Sequence, residues 1–207
     1  MIEFKTRDQR DAVEDHLFWM YRVTYEIEMH INTVLYLDSL ICERDLRGDL
    51  TTDMIFYHNE LALIRTAFIL KNKPNVDEKH SLFGLQNFLN GKQVKTSNKS
   101  IKIICGKIST FYGKHQMDID KLIKKRDAEA HELKVDKQIE LSNSNQINFN
   151  KILEIIQEAR AIINELYILL FKRDLSPELK YPIDLYNKIY NHSIEIIASE
   201  LQSQDAN

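Results

Sequence analysis

The sequence predicts an all-α protein, built as an up-and-down bundle of helices. Only five of its 207 residues are glycine and three are proline, so little of the chain suits the tight turns of a β-protein. Apolar residues recur at spacings of three and four over several long stretches, which is the period of a helix buried on one side. We therefore expect one bundle over residues 1–175 and a helical extension, residues 176–207, packed on the same domain.

A long N-terminal helix is predicted from about Arg7 to Arg44. Its mostly apolar heptad positions alternate steps of four and three: Val13, Leu17, Met20, Thr24, Ile27, Ile31, Val34, Asp38 and Ile41. Such a seam is typical of a helix that packs against others along its whole length. Two interpretations stay open. The helix spans its own bundle, or its seam contacts a second protomer.

Two further helices are expected before residue 92. Residues 51–53 carry N-capping oxygens for a second helix that continues to about Lys71. Pro74 then breaks the helical pattern. A short third helix over residues 81–90 is followed by Gly91, a residue favoured just past a helix C-terminus.

The next stretch is expected to hold a polar loop and two helices. Residues 92–100 form the loop, and residues 101–111 resume helical spacing until Gly113 weakens it. Asp118 has the side chain of an N-cap, so a separate helix is predicted to start there and to end near His131.

The last third of the chain begins with a change of pattern. Residues 133–141 indicate a short extended segment, and residues 142–146 are a turn-forming polar run. Asn148 is expected to cap a strongly apolar helix that continues to Phe171. Pro182 then opens the extra C-terminal helix.

Several classes of protein are excluded by missing patterns. No glutamate stands three residues before any of the seven histidines, so the Glu-x-x-His ligands of a di-iron bundle are absent. No HExxH, GxSxG, GxGxxG or P-loop sequence occurs. Cys42 and Cys105 lack a metal-binding spacing and are expected to be free thiols in a reducing cytoplasm. We expect no metal and no cofactor.

A secreted or membrane protein is not expected either. The charged start of the chain does not resemble a signal peptide. The most apolar run, residues 161–171, is short and contains Asn164 and Glu165. The protein is therefore predicted to be cytoplasmic.

Charge is distributed unevenly, although the formal net charge is only −3. Two acids, Asp118 and Asp120, lie between Gly91 and Arg126. They are outnumbered by ten basic residues: Lys92, Lys95, Lys99, Lys102, Lys107, Lys114, Lys121, Lys124, Lys125 and Arg126. This basic block favours a polyanionic partner such as RNA, although a solvated lysine-rich surface has the same composition.

The basic block leads into residues 121–131, KLIKKRDAEAH, where the candidate site lies. On a helix, one continuous stripe is formed by Ile119, Leu122, Ile123, Arg126 and Ala130. Arg126 thus occupies an apolar position without an acid on its stripe, which predicts that it faces a groove or a partner chain. Asp127 and His131 are i, i+4 neighbours, close enough for the carboxylate to orient the imidazole.

Residues 126–131, RDAEAH, resemble the arginine–polar–spacer–histidine motif of the HEPN superfamily, whose members are small helical bundles and include metal-independent ribonucleases. The match is closest to the AbiU-like abortive-infection branch, where the motif resembles RDKxxAH. Ala128 stands where that branch commonly has a basic residue. Residues 61–65 (LALIR) and 81–85 (SLFGL) also resemble this branch. The resemblance covers roughly residues 10–170.

The resemblance implies a metal-independent endoribonuclease of a phage-defence or toxin–antitoxin system. His131 would act as base on a ribose 2′-OH or as acid to the leaving oxygen. Arg126 would hold the scissile phosphate, and Asp127 would fix the histidine tautomer. Three further residues are the candidate RNA-binding positions: Lys121, Lys124 and Lys125.

The spacing of the motif predicts a homodimer. Arg126 and His131 are five residues apart and point roughly 140° away from each other on a regular helix. They converge only if the helix end distorts or if two protomers combine their motifs in one groove, as HEPN nucleases do. An antitoxin or a phage-sensing protein is a further expected partner.

A non-catalytic helical module is the alternative function. It would bind a partner protein or nucleic acid through the N-terminal heptad seam, with Arg126 and His131 as structural polar groups. Arg126 and Glu129 would then be an ordinary i, i+3 ion pair. A second match to the motif, Arg10 to His16, is interpreted as a surface charge cluster because its helix continues past it.

Overall fold

The computed structural model is an all-α bundle, as the sequence predicts. The structure describes residues 3–4, 6–44, 49–71, 81–90, 94–95, 99–130 and 148–175, together with scattered positions between 185 and 199. Its helices are α1 (Arg7–Arg44), α2 (Asp49–Leu70), α3 (Leu82–Asn90), α4 (Lys99–Ala130) and α5 (Phe149–Phe171). Two-residue strands β1 (Glu3–Phe4) and β2 (Val94–Lys95) pair antiparallel, which the sequence did not predict.

Helix α1 is the longest element, and it packs against both α2 and α5. Its seam is buried over the first seven positions: Val13, Leu17, Met20, Thr24, Ile27, Ile31 and Val34. Asp38 is exposed, and the side chain of Ile41 lies outside the described part of the chain. Over these seven positions, the seam therefore packs within its own bundle and does not contact a second protomer.

A polar position in the seam is explained by a contact with α5. Thr24 is fully buried, and its hydroxyl donates to the Tyr21 carbonyl at 2.6 Å. The Arg160 guanidinium donates to the Thr24 hydroxyl and carbonyl, both at 2.9 Å. It also pairs with Glu28 and lies 3.6 Å from the Tyr25 ring centre. The polar groups of Thr24, Glu28 and Arg160 in the α1–α5 contact are thus paired with one another.

Helix α4 is continuous, so the prediction of two helices in this region is wrong. Gly113 lies in its interior, and Asp118 is not an N-cap. One buried face runs through the whole helix: Ile101, Ile104, Ile108, Phe111, Ile119 and Leu122. A mid-helix glycine costs about 1 kcal/mol, which the burial of several such side chains outweighs.

Of the two helix caps predicted for α2 and α5, the first is wrong and the second is confirmed. Helix α2 begins at Asp49, so residues 51–53 lie inside it and do not cap it. Asn148 does cap α5, since its side-chain oxygen accepts from the Lys151 amide at 3.2 Å. The segment predicted at 133–141 lies outside the described residues, as does most of the helix predicted after Pro182.

Helices α1 and α2 also share a buried histidine pair. His30 and His58 approach to 2.8 Å between their Nδ1 atoms, so one ring donates and the other accepts. Burial and the neighbouring imidazole of His58 lower the pKa of His30 from 6.5 to about 4. Burial lowers the pKa of His58 as well. The pair is therefore neutral at physiological pH.

The histidine pair predicts a loss of stability in mild acid. The unfolded chain binds a proton near pH 6.5, whereas folded His30 binds one only near pH 4. The stabilisation is complete above pH 6.5 and declines as the pH falls towards 4, by roughly 3 kcal/mol. Urea unfolding across this range should show a much weaker pH dependence for His30→Gln. The exposed-site control His192→Gln should match the wild type, and equal slopes in all three proteins would contradict the prediction.

A second prediction concerns Gly113, which is exposed in the middle of α4. A Cβ atom there would have nothing within 4 Å. Gly113→Ala should therefore raise the free energy of unfolding by about 0.5–1 kcal/mol, measured by urea titration. Gly106→Ala is a matched control with the same surroundings and the same expected gain. A destabilised Gly113→Ala beside a stabilised Gly106→Ala would show that α4 bends at Gly113.

Candidate functional site

The last turns of α4 place Arg126 at the edge of the core. Leu122 and Ile119, one and two turns before it, are buried. The Arg126 side chain is only 21% exposed, so it lies partly within the apolar stripe, as predicted. Its Nε atom is buried and has no hydrogen-bond partner among the described residues. A partly desolvated guanidinium with an unused donor is a strong binder of an oxyanion that can reach it.

Among the described side chains, the acid that pairs with Arg126 is its own neighbour in the chain. An Nη atom of Arg126 lies 2.6 Å from Oδ1 of Asp127, whose side chain is 51% exposed. No acid lies on the apolar stripe itself, as expected, and the acid partner of Arg126 is the next residue along the chain. Asp127 contacts the guanidinium of Arg126, while its expected contact with His131 lies outside the described residues. The Glu129 side chain, which the alternative function pairs with Arg126, also lies outside the described residues.

The three candidate RNA-binding lysines lie on the two turns that lead to Arg126. Lys121 and Lys124 are exposed, and Lys125 is half-buried. Together with Arg126 they give this end of α4 four cationic groups, against the carboxylates of Asp120, Asp127 and Glu129. The negative end of the helix dipole stabilises such cations, so their position alone does not distinguish structural from functional use.

A cavity of about 320 Å³ opens beside these lysines, between α4 and the start of α5. Its lining residues are Asp118, Lys121, Leu122, Asn148, Lys151, Ile152 and Ile155. Sequence reasoning missed Asn148 and Lys151 as lining residues because they lie about 30 positions away along the chain. Only the antiparallel contact of α4 with α5 brings them next to Lys121.

Further along the same helix contact lies a buried histidine with two glutamates. His115 of α4 is 1% exposed, and its Nε2 lies 2.9 Å from Oε2 of Glu158. A hydrogen bond from Lys114, at 2.6 Å, lowers the pKa of Glu158. The carboxylate is thus ionised and can only accept, so Nε2 of His115 is the donor.

This group also has the ligand types of a metal site. The ligand atoms of His115, Glu154 and Glu158 lie within 4.8 Å of one another. Lys114 and Lys151 already neutralise the two carboxylates, at 2.6 Å and 2.7 Å. A cation would have to displace both ammonium groups, so the arrangement is better explained as an ion-pair network that joins α4 to α5.

The second copy of the motif, at Arg10, behaves as a surface charge cluster. Asp11 pairs with Arg7 one turn earlier, at 3.6 Å, and both side chains are more than half exposed. Arg10 is exposed and lies 5.7 Å from the centre of the Phe171 ring. These contacts are those of a solvated helix face, in keeping with the interpretation from the sequence.

Comparison with known proteins adds no relative to this picture. No family model, curated protein or solved structure matches the chain. Among the described residues, no helix is both long enough and apolar enough to cross a membrane.

The ion-pair network predicts unequal effects of two glutamate substitutions. Glu158→Ala removes the one hydrogen-bond partner that the buried His115 ring has among the described residues, and should lower the free energy of unfolding by about 1–3 kcal/mol. Glu165→Ala is the matched control, because its ion pair with Lys107 is about half exposed. It should cost less than about 1 kcal/mol. Equal losses in urea unfolding would contradict the assigned role of Glu158.

Proposed function

We propose that this protein is a metal-independent endoribonuclease of a phage-defence or toxin–antitoxin system. The observation that carries the proposal is the state of Arg126, a partly buried guanidinium with an unused Nε donor beside three lysines. Its position in the sequence RDAEAH supplies the resemblance to HEPN nucleases. A buried, poorly satisfied cation at a basic helix end is suited to binding a phosphate.

The residue types support cleavage by attack of a ribose 2′-OH. His131 accepts the 2′-OH proton, the 2′-oxygen bonds to phosphorus, and the bond from phosphorus to the 5′-oxygen breaks. The leaving oxygen takes up a proton, and the RNA end left behind is a 2′,3′-cyclic phosphate. Arg126 donates to the phosphate oxygens and offsets their charge in the transition state. Lys121, Lys124 and Lys125 hold the neighbouring backbone phosphates.

Two copies of the motif are proposed to form one catalytic groove. Helix α4 stays helical to Ala130, so it does not unwind between Arg126 and the residue before His131. On a regular helix that continued to His131, the two side chains of one protomer would point roughly 140° apart. An Arg126 from one copy and a His131 from the other would complete the site, as in a shared dimer groove.

The N-terminal seam, which the non-catalytic alternative requires as a binding surface, is not exposed from Val13 to Val34. The N-terminal seam from Val13 to Val34 is buried against α2 and α5 of the same chain. A partner could reach it only if the bundle opened, at the cost of exposing the core. An antitoxin or a phage-sensing protein remains part of the proposal as a partner that controls the nuclease.

Cleavage of RNA by the purified protein in EDTA tests the proposal. Wild type should cleave total RNA and leave 2′,3′-cyclic phosphate ends. Arg126→Ala and His131→Ala should each reduce the rate by at least about 100-fold, because each removes a group that acts in the transition state.

Matched controls are provided by the second motif and by an exposed histidine. Arg10→Ala and His192→Ala should retain wild-type rates, since both side chains are exposed and lie outside the site. No cleavage by wild type under varied salt, pH and RNA would overturn the proposal. So would equal rates in wild type and both site variants, which would indicate a contaminating nuclease.

A further inference from the structure

Helix α2 is apolar on both of its faces. Its inner face is buried in the bundle: Ala62, Leu63, Ala67, Ile69 and Leu70. On its outer face, Tyr57 is 58% exposed, Ile64 is 49% exposed and Phe68 is 39% exposed. A helix that is apolar on all sides is normally covered on all sides, and a contiguous exposed apolar patch marks an interaction surface.

The exposed side chains follow a heptad. Met54, Tyr57, Leu61, Ile64 and Phe68 alternate steps of three and four, and we call these five residues the outer stripe. Met54 and Leu61 are partly buried, while the other three are exposed. Trp19 of α1 extends the patch, since its ring meets Phe68 edge-on at 5.5 Å. This is the spacing with which one helix packs along another in a two-stranded coil.

Charged residues beside the outer stripe favour one arrangement. Glu60 precedes Leu61 on one flank, and Arg65 follows Ile64 on the other flank. In a parallel pair of identical helices, a residue on one flank contacts the residue five positions later on the opposite flank of the second helix. Glu60 and Arg65 have this spacing. In an antiparallel pair, each flank faces its own counterpart, which would bring like charges together.

Within one chain the charges around Arg65 are unevenly matched. Arg65 and Arg22 both pair with the carboxylate of Glu26. Burial lowers the pKa of Arg65, and the charge of Arg22 lowers it further. Among the residues that the structure describes, no ion pair involves Glu60. Among those residues, Glu26 is the one acid that pairs with Arg65, and Arg22 shares it. A carboxylate from a second chain would therefore give Arg65 an acid of its own.

We propose that the outer stripe of α2 binds the outer stripe of a second copy of this chain, with the two α2 helices parallel. The two Glu60–Arg65 contacts between the copies would flank a core of Tyr57, Leu61, Ile64 and Phe68. This surface was not among those expected from the sequence, which assigned association to the N-terminal seam and to a groove shared by two copies of the Arg126–His131 motif. The inference concerns association alone, so it can hold or fail independently of RNA cleavage.

The solution mass of the full chain tests the surface. Sedimentation equilibrium at micromolar concentrations, without RNA, should give twice the 24.4 kDa mass of one chain. Ile64→Glu should give the mass of one chain, because two carboxylates would be buried at the centre of the contact. Ile103→Glu changes an isoleucine of α4 that is 60% exposed, and this variant should remain a dimer. A one-chain mass for wild type, or the same mass for both variants, would overturn the proposal.

Cross-linking tests the direction of the helices. In a parallel pair, residue 57 faces residue 57 of the second copy. In an antiparallel pair centred on the same stripe it would face residue 68, and the two residues 57 would be about 16 Å apart. Tyr57→Cys with a thiol oxidant should therefore give a covalent dimer, and Ile103→Cys should match wild type. Cross-linking that requires a mixture of Tyr57→Cys and Phe68→Cys chains would overturn the parallel arrangement.

Discussion

Burial of the α1 seam is the constraint on which the other features depend. Thirty-eight residues of helix pack against α2 on one side and α5 on another, with Thr24 bonded to Arg160 where the seam is polar. Because α2 and α5 both pack on α1, this helix fixes the position of α5. The start of α5 then contacts α4. That contact forms the cavity beside Lys121. It also leaves the second apolar face of α2 on the outside of the bundle, where a further chain can reach it.

The candidate site depends on a balance of burial and charge at the end of α4. Arg126 is held near the core by the apolar side chains before it, so it is partly desolvated. Asp127 satisfies one of its donors but not Nε. An arginine that is fully paired would be a structural residue, and a fully exposed one would bind phosphate weakly. This intermediate state of Arg126 is the reason for proposing that it binds a phosphate of RNA.

Helical periodicity predicted much of the fold, because amphipathic spacing is a local property of the chain. It located α1, α3, α5 and the N-cap Asn148, and it placed Arg126 on the apolar stripe. It failed where two local signals competed with packing. Gly113 and Asp118 suggested a break, but the buried face of α4 continues through both. The cavity lining, the His115 network and the exposure of the outer stripe depend on which helices meet, and no local pattern contains that information.

The central claim is that two chains contribute to one nucleolytic site, and a mixing experiment tests it most directly. Arg126→Ala and His131→Ala chains, each inactive alone, are unfolded, combined in equal amounts and refolded before RNA is added. If each groove takes Arg126 from one copy and His131 from the other, half of the dimers are mixed. Each mixed dimer has one intact groove of two, so about a quarter of the wild-type rate should return. An inactive mixture beside active refolded wild type would contradict a shared site.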